Sequence, residues 1–276
     1  MIDATLDGPV GRLTLNRPEA HNALDAGGIQ TLRDTLDDWA RRDGIRALIL
    51  SGIGKSFCSG VSLGDVAGLD FAHDNPLTRL CDALEDFPAP TIAALNGGVY
   101  GGGVELALSC DFRVGVTGMR AFAPPARLGI HYEPAGINRA IQRLGAQMAR
   151  RIFLLAESFE APELLSAGFL DHLVEPKDLE KKVGEMTATL GELAPLAVRG
   201  MKRTILELTR GTLDEEAARA RIAECFASAD HDAVKVGQAC GPASAGGGTR
   251  AGRFAPPPPP DPSHLSPSRA EPSRGA

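Results

Sequence analysis

Asn96-Gly97-Gly98-Val99-Tyr100-Gly101-Gly102-Gly103-Val104-Glu105-Leu106-Ala107 joins the apolar run Thr91-Ile92-Ala93-Ala94-Leu95 to a helix-like segment through glycines, and it sets a carboxylate one turn inside that segment. The run before it carries no charge and reads as a strand buried on both faces. A helix is expected to begin near Gly102. The first N–H groups of a helix lack partners within it and its dipole is positive there, so an oxygen gaining negative charge is stabilised at that end. Glycine lets this backbone approach a bound molecule with no Cβ in between. A second glycine turn, Lys55-Ser56-Phe57-Cys58-Ser59-Gly60-Val61-Ser62-Leu63, follows the strand-like residues 46–51. Two such turns supply two backbone donors, and losing one donor from such a pair typically costs about two to three orders of magnitude in rate. A Gly-Gly-Gly turn alone reads first as a flexible or tightly packed turn, so the rest of the chain decides its meaning.

Working outward, residues 4–16 alternate around Asp7-Gly8-Pro9 and predict a hairpin. Ile29, Leu32, Leu36 and Trp39 fall on one helical face, and from Gly136 onward the pattern is helical: Ile137, Ile141 and Leu144, then residues 161–167, 179–193, 196–208 and 213–226. With 276 residues and 43% hydrophobic content the chain can build one substantial core, and no apolar run approaches the roughly 20 residues of a membrane helix. A net charge of −6 argues against general nucleic-acid binding. Five cysteines without paired spacing, and first residues lacking a basic-then-apolar pattern, point to a reducing, cytoplasmic compartment. No metal-ligand set is read. Beyond residue 232 the sequence turns to Gly, Pro, Ser and Arg, a composition that cannot bury enough apolar surface to fold.

Taken together, Leu15-Asn16-Arg17-Pro18-Glu19-Ala20-His21-Asn22-Ala23-Leu24, Ser56-Phe57-Cys58-Ser59-Gly60, Gly101-Gly102-Gly103-Val104-Glu105-Leu106-Ala107 and Cys110-Asp111-Phe112-Arg113 resemble the enoyl-CoA hydratase/isomerase (crotonase) superfamily. The match continues through Arg127-Leu128-Gly129, residues 167–174 and Ala194-Pro195-Leu196-Ala197, to about Asp232. The resemblance implies an α/β fold with a (ββα)n spiral core over residues 1–190 and a carboxy-terminal helical trimerisation region over 191–232. Residues 233–276 are left as a low-complexity tail. It further implies an acyl-coenzyme A thioester as substrate, no separate cofactor because coenzyme A is part of that substrate, and a homotrimer or dimer of trimers. The thioester oxygen is expected between the N–H groups of Val61 and Gly102. Ala20, His21, Ser59, Val61, Ser62 and Leu63 carry over as the coenzyme A contacts, and residues 64–75 as the cover of the acyl tail. Arg17, Lys55 and Lys202 are the candidate phosphate partners.

The carboxylates decide the reaction. Hydratases that this chain resembles use two glutamates. Glu105 matches the first, whereas Phe122-Ala123-Pro124-Pro125-Ala126-Arg127-Leu128-Gly129 is one residue short and has Pro125 or Ala126 where the second is expected. Neither transfers a proton. Glu133, a few residues on, is the replacement candidate, and Tyr132 beside it fits a branch that decarboxylates malonyl-type thioesters. The expected activity is hydration or isomerisation of a 2-enoyl-CoA by Glu105 with Glu133. Decarboxylation aided by Tyr132, and acyl-CoA binding without turnover, stay open as alternatives. A plainer reading makes Glu105 an exposed first-turn complement to the helix dipole, Glu133 and His131 solvated loop residues, and Cys58 and Cys110 packing residues.

Overall fold

The computed structural model describes residues 2–62, 64 and 74–231. Leu63, most of the segment expected over the acyl tail and residues 233–276 lie outside them. The hairpin forms around its Gly8 turn: β1 (Ile2–Asp7) pairs antiparallel with β2 (Val10–Leu15), whose Leu13 and Leu15 point inward. β2 then lies parallel to β3 (Ala47–Gly52), the strand read at 46–51. β5 (Thr91–Leu95) is buried at every residue, as an uncharged run between parallel neighbours should be.

Each pass of the chain lays one strand in each of two sheets and then a helix. β3 is followed by β4 (Ser56–Cys58) and, further on, α2 (Pro76–Glu85). β5 leads to β6 (Gly98–Tyr100) and α3 (Gly102–Leu108), and β7 (Phe112–Val116) to β8 (Arg120–Phe122) and α4 (Pro134–Phe153). With β9 (Phe159–Glu160) and β10 (His172–Val174), the first sheet runs β1-β2-β3-β5-β7-β10 and the second β4-β6-β8-β9. This is the expected (ββα)n spiral. α1 (Ala26–Ala40) buries Ile29, Leu32, Leu36 and Trp39, and Asp25 caps its start by accepting from the Gly28 N–H. α5 (Ala161–Ser166), α6 (Leu179–Glu192), α7 (Pro195–Arg210) and α8 (Glu215–Phe226) complete the described chain, all within the compact unit Met1–Val234.

Two expectations for the carboxy-terminal half are corrected. It is not helical throughout, because β9 and β10 interrupt it with two and three residues, too few to show a period of two. In α4 the buried stripe is Gly136, Arg139 and Ala140, then Met148, Ala149, Ile152 and Phe153, whereas Ile141 is 40% exposed. Buried acids on α2 and α3 draw Arg139 inward and turn Ile141 outward. Gly145, at φ 80° and ψ 159°, breaks the helix and lets its two halves bury different phases.

Candidate active site

The site is assembled where β4, β6 and the start of α3 come together. Asn22, in a left-handed turn at φ 57°, accepts the Arg17 N–H and shares its amide hydrogens among the carbonyls of Ile53, Ser56 and Phe57, which fixes the strand leading to Gly60. Gly60 has φ 86°, and a Cβ there would stand 2.5 Å from the Gly102 nitrogen. Only glycine allows that approach. A Cβ on Gly103 would likewise fall 2.4 Å from the Cys58 carbonyl oxygen.

The two N–H groups picked out in the sequence are left unused by this packing. Val61 makes a parallel bridge with Leu24 in which the flanking groups do the bonding: the Leu24 N–H donates to the Gly60 carbonyl and the Ser62 N–H to the Leu24 carbonyl, each at 2.8 Å. The Val61 N–H therefore points away from Leu24. Gly102 opens α3, so its N–H has no partner within the helix. Among the described residues neither N–H donates to a backbone carbonyl.

Val61 and Gly102 line a cavity of about 390 Å³ together with Ser59, Glu105, His131, Tyr132 and Glu133. Its apolar wall comes from Leu77, Tyr100, Phe122, Leu128 and Ile130, with the Tyr100 and Phe122 rings 5.2 Å apart. Pro125, from the stretch where a second glutamate was expected, also lines it. Thus the structure brings the predicted catalytic and donor residues around one space. Ala20, His21 and Ser62 are not among the residues that line it: Ser59, which does, donates to the Ala20 carbonyl, and His21 Nδ1 meets the Ser56 hydroxyl at 2.9 Å. Lys202 is removed from the phosphate candidates, since it is held 2.7 Å from Asp111 and donates to the Ala89 carbonyl. Arg17 lies near Glu19 and Asp25, and Lys55 is exposed.

Glu105 is not a surface complement to a dipole. It is 3% exposed, and Oε1 accepts from Arg139 Nη1 at 2.7 Å. Burial pushes its carboxyl above the ordinary 4.5, while the charge of Arg139 pulls it back. The Tyr132 ring stacks at 4.8 Å on Phe153, and its hydroxyl is buried beside that carboxylate at a geometry short of a hydrogen bond, without a partner among the described residues. Glu133 caps α4 through its backbone alone, so its half-exposed carboxylate is left to the cavity. His131 is exposed, with Nδ1 at 2.8 Å from the Tyr132 carbonyl. Cys58 and Cys110 are fully buried, and burial pushes both thiols up to about 12, which makes them packing residues rather than nucleophiles.

Sequence reasoning missed Arg139 and the Tyr100–Phe122 wall. The signal for Arg139 was its spacing of three from Gly136, which puts both on one helix face. Among the described residues no cluster of His, Cys, Asp and Glu is arranged to hold a metal ion.

A sequence profile described as enoyl-CoA hydratase/isomerase matches residues 6–238. The short-chain-enoyl-CoA hydratase of Clostridium acetobutylicum is 29% identical over 231 residues, covering 81% of this chain and 88% of its own. The 2,3-dehydroadipyl-CoA hydratase of Escherichia coli is 32% identical over 212 residues, 76% of this chain and 83% of its own. Among solved structures, an enoyl-CoA hydratase from Bacillus anthracis superposes with a TM-score of 0.76 at 26% identity, over 86% of this chain and 95% of that one.

Proposed function

Since the chain belongs to the enoyl-CoA hydratase/isomerase family, we propose that it binds a 2-enoyl-CoA with the thioester oxygen between the Val61 and Gly102 N–H groups and that Glu105 serves as its acid/base. The observation that carries this reading is a pair of N–H groups without a backbone acceptor among the described residues, on two residues that line the same cavity as a buried carboxylate. In hydration, Glu105 takes a proton from water as the hydroxyl bonds to the β-carbon. Electrons move to the thioester oxygen, where the two donors stabilise the enolate. The enolate then takes a proton at the α-carbon from protonated Glu133, which replaces the missing glutamate; the proton on Glu105 passes to solvent and Glu133 regains one from solvent, so both carboxyls return to their starting states. Isomerisation uses the same enolate with Glu105 moving the proton between carbons.

A malonyl-type decarboxylation is disfavoured by charge. The cavity already holds Glu105 and Glu133, and the nearby cation, Arg139, is engaged by Glu105, Asp82 and Glu85. A substrate carboxylate would enter against two acids. Tyr132 thus serves as a wall of the site. A homotrimer is supported by α7, where Met201, Ile205 and Leu208 are each 58–59% exposed on a helix that also carries Arg199, Lys202, Arg203 and Arg210. No described helix is long and apolar enough to cross a membrane, and the free thiols suit the reducing cytoplasm.

Incubation with crotonyl-CoA, followed by product mass, tests the reading. Glu105→Gln should lower kcat by about 10²- to 10⁴-fold, because it keeps shape and removes proton transfer, and leave acyl-CoA affinity within a few-fold. Parent-like turnover in that variant overturns the assignment.

A further inference from the structure

We propose that Arg139 is a positioning residue for Glu105: its guanidinium fixes that side chain and holds it as a carboxylate, so that Oε1 is committed to the clamp and Oε2 remains to exchange the proton. This rests on the acid/base reading of Glu105 given above. Arg139 is 4% exposed and stands behind the substrate cavity. On its far side lies a second, polar cleft of about 290 Å³ lined by Asp82, Glu85, Asp86, Asn138, Arg139 and Arg210. Glu105 lines the first space and Arg139 the second, and the 2.7 Å bond between them closes the wall.

The clamp is prepared by its neighbours. Gly136, one turn before Arg139 on the same face of α4, makes room, since a Cβ there would be 2.8 Å from Glu105 Oε2 and 2.5 Å from the Tyr132 ring. All three guanidinium nitrogens have a carboxylate: Nη1 takes Glu105, Nη2 takes Asp82 at 2.5 Å and Nε takes Glu85 at 3.4 Å. These are not equal claims on the charge. Glu85 is also met by Arg210 at 2.7 Å and Arg143 at 3.6 Å, and the Asp82 side chain is 47% exposed, where water screens it. The cation is left chiefly for Glu105. Facing the Glu105 carboxylate are thus Cys81 and Asp82 from α2, Tyr132 before α4 and Arg139 within it, with His131 and Glu133 on the cavity rim, while Glu85 of α2 meets the same guanidinium and also Arg143 and Arg210. Among the described residues Arg139 is the cation paired with Glu105, and Asp82 shares it, so removing the cation and removing that acid should move Glu105 in opposite directions.

The experiment uses the full chain labelled with ¹³C at glutamate carboxyls, the Glu105 resonance being the one lost in Glu105→Gln. Arg139→Gln should raise the Glu105 titration midpoint by about one pH unit or more. A base must be ionised to act, so the acid limb of kcat/KM for crotonyl-CoA should rise with it, with kcat down about tenfold and KM within about threefold. Arg139→Lys, which keeps the charge, should return the midpoint toward the parent, and Asp82→Asn should lower it. A midpoint and acid limb unmoved in folded Arg139→Gln overturn the proposal. Where that variant does not fold, an Asp82→Asn midpoint at or above the parent's overturns it, and a lowered one supports it. Should Glu105→Gln keep parental turnover, the acid/base role fails, and the clamp proposal falls with it even if the titration shifts as expected. If Glu105→Gln is inactive and the titration does not move, only the clamp proposal fails.

Discussion

At the scale of single residues, the site is defined by groups that folding leaves unpaired or crowded. The Tyr132 hydroxyl is buried without a partner among the described residues. Such a group costs about 1–3 kcal/mol in stability, and a phenyl ring of the same shape avoids that cost. Tyr132→Phe should therefore stabilise the protein by about 1 kcal/mol in chemical denaturation. In the hydratase reading it should also leave crotonyl-CoA hydration within about threefold, since Glu105 and the two N–H donors carry the chemistry. A loss of hydration of a hundredfold would return Tyr132 to the reacting groups. Val61 shows the other kind of residue-level choice. Its backbone supplies the donor that any residue supplies, while its side chain adds bulk to the cavity wall.

At the scale of elements, the junction of β4 with α3 is the most constrained feature of the site. With a Cβ at position 60 only 2.5 Å from the Gly102 nitrogen, Gly60→Ala cannot be accommodated by rotating a side chain, and φ 86° adds backbone strain. The backbones bearing the two donors must separate. A displacement of about 1 Å costs on the order of 10²-fold in rate, so Gly60→Ala should lose at least that in kcat, with stability lower by about 1–3 kcal/mol. Steady-state kinetics and a thermal melt check both. This junction was legible in the sequence, because β5 carries five uncharged residues, the glycines punctuate the chain and Glu105 follows at a fixed offset. The second sheet was not. Its strands are two or three residues long and show no period, so they appear only through the turns that bracket them. Arg139 escaped for a different reason. An arginine on a helix is read as solvated, and only the acids of α2 and α3, distant in sequence, make its burial favourable.

At the scale of the whole molecule, two carboxylates give acid opposite effects in two places. Glu105 has a folded pKa held above 4.5 by burial, so between 4.5 and that value the native state binds the extra proton and stability falls as pH rises. Glu207, on α7, is held below 4.5 by hydrogen bonds from Arg221 and Arg203. The Arg221 bond, at 2.6 Å, joins α8 to α7, and α8 buries no residue of its own. Here the sign reverses: the contribution is present above 4.5 and is lost as pH falls through the lower folded value. Acidification should thus relax the charge held in the core while it loosens the α7–α8 pair. Hydrogen exchange at about pH 6 and about pH 3.5, corrected for intrinsic rates, should show α8 losing protection on acidification before β3 and β5 do. Arg221→Ala should loosen α8 at the higher pH already and shrink the difference between the two. If α8 and the central strands lose protection together in the parent, the ion pair is not what fastens α8, and the exposed apolar residues Ile222 and Phe226 become the groups to mutate next.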